Sequence, residues 1–212
     1  EQENQLERAS RAAAQLIEAK PTEARFYVLK ASLDYSRDAH EEAITAMRKA
    51  LELSPNSDGY SFGLAVYYDK AGQRQECVKY LEKTIEINPK HSNALNYLGY
   101  LYAEEGIELE KAANLIKRAL EVEPNNGYFI DSLGWVYYRM GRFDEAKVEL
   151  EKALKIASTD AVILEHVAVV RMKTGNPKGA LAIAKEALKY APTSDDEKVE
   201  MRLKKLIEEL EQ

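Results

Sequence analysis

Prolines recur along this chain at Pro21, Pro55, Pro89, Pro124 and Pro192, with successive gaps of 34, 34, 35 and 68 residues. The last gap is twice the first, and Ser158 stands where the missing proline would fall. A fixed period of about 20 to 50 residues marks an array of stacked supersecondary units rather than one irregular globule. The sixth proline, Pro177, lies inside a unit and needs its own explanation.

Residues 127–160 serve as the reference unit. Ile130, Leu133, Gly134 and Tyr137 lie in its first half, Gly141 divides it, and Ala146, Leu150 and Ala153 lie in its second. Four further units align on it: 24–57, 58–91, 92–126 and 161–194. The eighth position reads Ala31, Ala65, Gly99, Gly134 and Ala168. Glycine inside a helix costs about 1 kcal/mol relative to alanine, so a close approach of two helices must demand so small a residue. Ala43, Cys77, Ala112, Ala146 and Ala180 fill a second small slot, so the single cysteine reads as core rather than as a reactive thiol. It can form no internal disulfide.

Gly72, Gly106, Gly141 and Gly175 fall between the two halves of their units, where a left-handed residue closes the first helix. Gly175-Asn176-Pro177 spells out a C′ glycine, an N-cap and an N1 proline, which accounts for Pro177. Asp38 holds this place in the first unit and predicts a weaker turn. One inserted residue within Ile107-Glu108-Leu109 lengthens the turn of unit 92–126, and it is expected at the surface.

These residues closely follow the Trp-x-x-Leu-Gly-x-x-Tyr … Ala-x-x-x-Phe … Pro pattern, so the chain resembles the tetratricopeptide-repeat (TPR) family over nearly its whole length. The resemblance implies an all-α fold: a right-handed superhelical solenoid of antiparallel helix pairs. Residues 1–23 resemble the second half of a repeat, with Ala9, Ala13, Leu16, Ile17 and Pro21 in the matching slots. We therefore expect a piece of a longer protein, in which residues 1–20 offer an open edge for self-association. At the other end, Ser194-Asp195-Asp196-Glu197 reads as a capping box. It opens a capping helix over residues 195–212 with the stripe Val199, Leu203, Leu206, Ile207 and Leu210. Twelve helices are predicted.

The chemistry search returns no phosphate loop, nucleophile motif or metal-ligand spacing, so neither catalysis, a cofactor nor a metal is assigned. His40, His91 and His166 occupy different slots in different units and read as surface or groove residues. Glu41-Glu42 and Glu104-Glu105 read as solvated faces. A net charge of -6 disfavours nucleic acid. No apolar run approaches the roughly 20 residues that span a bilayer, and residues 1–11 are not signal-like.

Aromatics carry the functional signal. Tyr68, Tyr102 and Tyr137 fill the family's core tyrosine slot, whereas Tyr128, Asp131, Trp135, Tyr138 and Arg139 share another face of their helix. The preceding unit offers Asn93, Asn96, Tyr100 and Glu104 at matching slots, and earlier units add Phe62 and Tyr35. In TPR proteins this face lines the concave groove, so these residues are the candidate contacts for a protein or extended peptide. The competing assignment is that some of the rings pack against the next repeat. On the groove assignment, Trp135→Ala keeps most of the stability and loses binding, whereas Tyr137→Ala destabilises the fold.

Residues 93–100 and 128–139, with the long Gly106 turn, resemble the TPR lipoproteins of Gram-negative envelopes. That resemblance implies an adaptor in envelope assembly or proteolysis, periplasmic or anchored at the outer membrane, with the cytoplasm as the alternative. The ninth position runs Ser32, Val66, Tyr100, Trp135 and Val169 without asparagine, so the carboxylate clamp of the chaperone-binding TPR proteins looks absent. The alternative function is the regulatory or targeting arm of a larger enzyme.

Overall fold

The computed structural model describes residues 2–194, 196 and 198–212, with side chains from residue 5 onward. Among them are twelve α-helices and one short 3₁₀ turn at Ala191–Thr193. The chain forms two compact units, residues 1–94 and 95–212.

The first unit contains α1 (Gln2–Ala19), α2 (Ala24–Tyr35), α3 (His40–Leu53), α4 (Asp58–Lys70) and α5 (Arg74–Ile87), and α6 (Ser92–Glu105) begins at its end. Helices α2 and α3, and α4 and α5, pair as hairpins across short turns. The second unit holds the rest of α6, then α7 (Leu109–Val122), α8 (Gly127–Arg139), α9 (Phe143–Ile156), α10 (Ala161–Lys173), α11 (Pro177–Tyr190) and α12 (Val199–Glu211).

Helix starts follow side-chain chemistry. Ser57, Asn126, Asp160 and Asn176 each accept a hydrogen bond from a backbone N–H of the first turn. His91 does the same through Nδ1, taking the Ala94 N–H at 3.1 Å. Helix ends follow the glycines: Gly72, Gly106, Gly141 and Gly175 all have φ between 71° and 80°. The next N–H folds back, as when Arg142 donates to the Tyr137 carbonyl at 2.9 Å. Asp38 takes this conformation at φ 56°, where an L side chain is strained. Asp38→Gly should therefore stabilise the protein by about 0.5–1 kcal/mol, because an L side chain is strained there by more than the extra unfolded-state freedom of glycine. A urea midpoint that stays the same or falls would contradict this.

Close packing explains the small slots. Ala31, Ala65 and Ala168 are fully buried, as are Ala43, Cys77, Ala112, Ala146 and Ala180. Burial pushes the Cys77 thiol up to about 12, which fits an inert core residue. Second helices bury one stripe, as α7 does with Ala112, Ala113, Leu115, Ile116 and Ala119. In contrast, α10 buries Ala161, Ile163, Leu164, Glu165, His166, Val167, Ala168 and Val170 and so lies within its layer rather than on it. Val199, Leu203 and Leu206 of α12 complete the core formed by Ala161, Leu164, Ala168, Ala184, Ala187 and Ala191. The predicted capping box involves Asp195 and Glu197, which lie outside the described residues.

Candidate partner-binding face

Successive first helices are joined by polar and aromatic contacts. In the first unit, Tyr35 of α2 stacks on Tyr67 of α4 at 5.0 Å; Phe62 of α4 lies against His91, just before α6, at 4.8 Å, and Ser10 of α1, the half-repeat helix, donates to buried Asp34 of α2 at 3.0 Å. Tyr35 thus follows the competing assignment of packing against the next repeat, whereas Phe62 meets the last residue of its own repeat.

The second unit carries the denser set, built on α6, α8 and α10. Trp135 stacks on His166 of α10 with ring centres 4.1 Å apart and planes 12° apart, and on Tyr138 at 4.7 Å. Its Nε1–H donates to Glu104 of α6 at 2.7 Å. Arg139 donates to the Glu104 backbone carbonyl at 2.8 Å, placing a cation at the end of α6, where the helix dipole favours one. Gly106 makes room for it: a Cβ there would lie 2.8 Å from the Arg139 guanidinium.

His166 and Asp131 overturn the sequence expectation. His166 is 3% exposed rather than at the surface, and its Nδ1 lies 3.0 Å from both carboxylate oxygens of Asp131, itself 5% exposed. Asp131 is therefore not a free groove contact, because an unpaired carboxylate could not be buried at that depth. Beside it, Glu165 is buried and receives two hydrogen bonds from Arg202 of α12, at 2.7 and 2.5 Å. Tyr100 is half-buried, and desolvation, reinforced by Glu104 and Asp131, pushes its phenol well above the ordinary range.

The structure thus brings Tyr100, Asp131, Trp135, Tyr138 and Arg139 into one neighbourhood. Asn96 is half-buried on α6, Asn93 is exposed at the start of that helix, and Tyr128 is 60% exposed at the start of α8. Sequence reasoning missed His166, Glu165 and Arg202. Spacing gave no common signal: Asp131 and His166 are 35 residues apart, one slot beyond the 34-residue period, whereas Glu104 and Arg139, also 35 apart, hold the same slot because unit 92–126 carries one inserted residue.

Among the described residues, no group of three or more His, Cys, Asp or Glu side chains could hold a metal ion, and no helix is long and apolar enough to cross a membrane. The repeated helix hairpins, whose first helices carry aromatic and polar side chains, define a helical-repeat protein, a class that binds proteins or peptides. Tetratricopeptide-repeat profiles match residues 1–58, 60–91, 80–113 and 129–160, and the chain belongs to the tetratricopeptide-repeat family.

The chain is 29% identical over 193 residues to the human protein O-mannosyl-transferase TMTC3, covering 90% of this chain and 21% of that protein. It is 24% identical to anaphase-promoting complex subunit 3 of Schizosaccharomyces pombe, over 68% of this chain and 22% of that one. It therefore spans about a fifth of the length of these relatives. Among solved structures, the anaphase-promoting complex hetero-tetramer Cut9–Hcn1 superposes with a TM-score of 0.80 at 18% identity, over 99% of this chain and 40% of that one. YrrB, a TPR protein with an unusual peptide-binding site, gives 0.66 at 22% identity, over 93% of this chain and 100% of that one.

Proposed function

We propose that the chain is an adaptor whose second unit holds a protein segment or extended peptide along the face carrying Asn96, Tyr100, Tyr128, Trp135, Tyr138 and Arg139. The observation that carries this reading is the Tyr138–Trp135–His166 stack, with the exposed Tyr128 about two turns earlier on α8. A surface whose side chains are already ordered loses little conformational entropy on binding.

Tyr128 gives the cleanest test because it is exposed. Tyr128→Ala should leave stability within about 0.5 kcal/mol of the parent, as surface substitutions do, yet weaken partner binding about tenfold, a loss of about 1.4 kcal/mol. A photo-crosslinking residue at position 128 identifies the partner, with position 148, where Val148 is 54% exposed on a second helix, as control. Equal capture from both positions, or unchanged affinity in Tyr128→Ala, rejects the face.

The resemblance of residues 93–100 and 128–139 to envelope lipoproteins supports an adaptor of the Gram-negative periplasm or outer membrane, acting in assembly or proteolysis. The match to an O-mannosyl-transferase, of which this chain spans 21%, favours a second reading: the targeting arm of a larger enzyme. The full reading frame separates them, since a lipid-attachment cysteine supports the first and a catalytic domain the second.

A further inference from the structure

We propose that His166 and Asp131 form a protonation-controlled clasp between α8 and α10, which holds the Trp135 ring in its stack and weakens as the imidazole loses its proton. The clasp belongs to the chain itself and is tested without any partner, so it stands or falls apart from the binding face proposed above.

The geometry is that of a buried ion pair with an aromatic cover. Both side chains are nearly inaccessible, the Nδ1–H is shared between two carboxylate oxygens at 3.0 Å each, and the indole lies almost parallel to the imidazole at 4.1 Å. An imidazolium suits that position on both counts, as countercharge to Asp131 and as a cation over an indole face. A neutral imidazole can keep the Nδ1–H bond but leaves the carboxylate buried without its countercharge, which is the costly state.

The surrounding charges favour the proton. From α10 itself comes Glu165, held by Arg202 of α12, which also takes Asp196. From α6 come Glu104, bonded to the indole, and the Tyr100 phenol; Arg139 of α8 is bound to the Glu104 backbone. On the helices flanking α10, Glu151 of α9 pairs with Arg171, Lys185 of α11 with Glu211, and Lys189 with Glu186.

Burial alone pushes His166 down. The Asp131 charge and hydrogen bond, with Glu165 and Glu104 behind them, more than offset this and hold the imidazole above its ordinary 6.5. A folded-state value raised in this way contributes stability that is complete below pH 6.5 and is lost as pH rises through the folded value.

Trp135 is the chain's single tryptophan, so its fluorescence reports on the clasp. A protonated imidazole in contact quenches indole emission. Titrating the intact chain should show emission rising in one step with a midpoint above 6.5, the ordinary histidine value, and Tm falling over the same interval. The step should vanish in His166→Gln, which retains His40 and His91, and should move below 6.5 in Asp131→Asn. If His166→Gln loses its helical circular dichroism, the wild-type and Asp131→Asn midpoints decide. A wild-type midpoint at or below 6.5, or a step that survives in folded His166→Gln, overturns the clasp.

Discussion

Gly99→Val is expected to destabilise the protein by about 3 kcal/mol, at the upper end of the usual penalty for overpacking. Glycine sits in the middle of α6 at a cost in helix propensity, and a β-branched replacement recovers only a few tenths of a kcal/mol of that cost. Against this gain stands a collision. A Cβ on residue 99 would lie 2.7 Å from Ile116 Cγ1 and 2.9 Å from the carbonyl oxygen of Ala112, both on α7. The isoleucine side chain can adjust, but the carbonyl is fixed by its own helix, so the two helices must separate along their closest approach. Gly59 provides the contrast, since a Cβ there meets nothing within 4 Å. Gly59→Ala should be neutral or mildly stabilising in the same urea experiment. Equal midpoints for the two variants would show that contact with α7 is not what keeps residue 99 small.

Trp135→Ala is expected to cost about 3 kcal/mol, the low end for truncating a large aromatic, because the ring is half-buried rather than enclosed. The ring stacks with His166 and with Tyr138, and its N–H is bonded to Glu104. Truncation removes two aromatic contacts and strips the cover from a buried ion pair. The sequence-based expectation for this variant was retained stability with lost binding. The stack across α8 and α10 moves the weight to stability, so a loss of binding in Trp135→Ala would mix two effects, and Tyr128 is the better probe of the face. A thermal or urea midpoint indistinguishable from that of the parent would return Trp135 to the role of an idle groove contact.

The helices and their turns were legible because each depends on residues close in sequence. Gly141 predicts a left-handed turn since only its own φ is at issue, and Asn176-Pro177 predicts a helix start because the cap reaches just three residues on. The small slots were legible for a related reason. Gly134 and Leu150 belong to one hairpin, where a short turn fixes which residues face each other, and a Cβ on Gly134 would lie 2.6 Å from Leu150 Cγ. Tyr68, Tyr102 and Tyr137 are buried as their slot required.

Contacts between successive first helices escaped the sequence. Reading one helix face at a time placed Asp131 beside Tyr128 and Trp135 and treated all three alike, yet Asp131 is buried and Tyr128 is 60% exposed. His166 looked like a surface histidine because nothing within its own helix marks it as half of an ion pair. Its partner lies 35 residues earlier, while Glu104 meets Trp135 at 31 and Glu165 meets Arg202 at 37. By itself, the sequence determined the helices, their turns and the small residues inside each hairpin, through the period and the local chemistry of caps and glycines. Only the tertiary structure decided which groove-face side chains are exposed and which are buried in pairs, because these offsets depend on how one first helix crosses the next, which no periodicity along a single helix records.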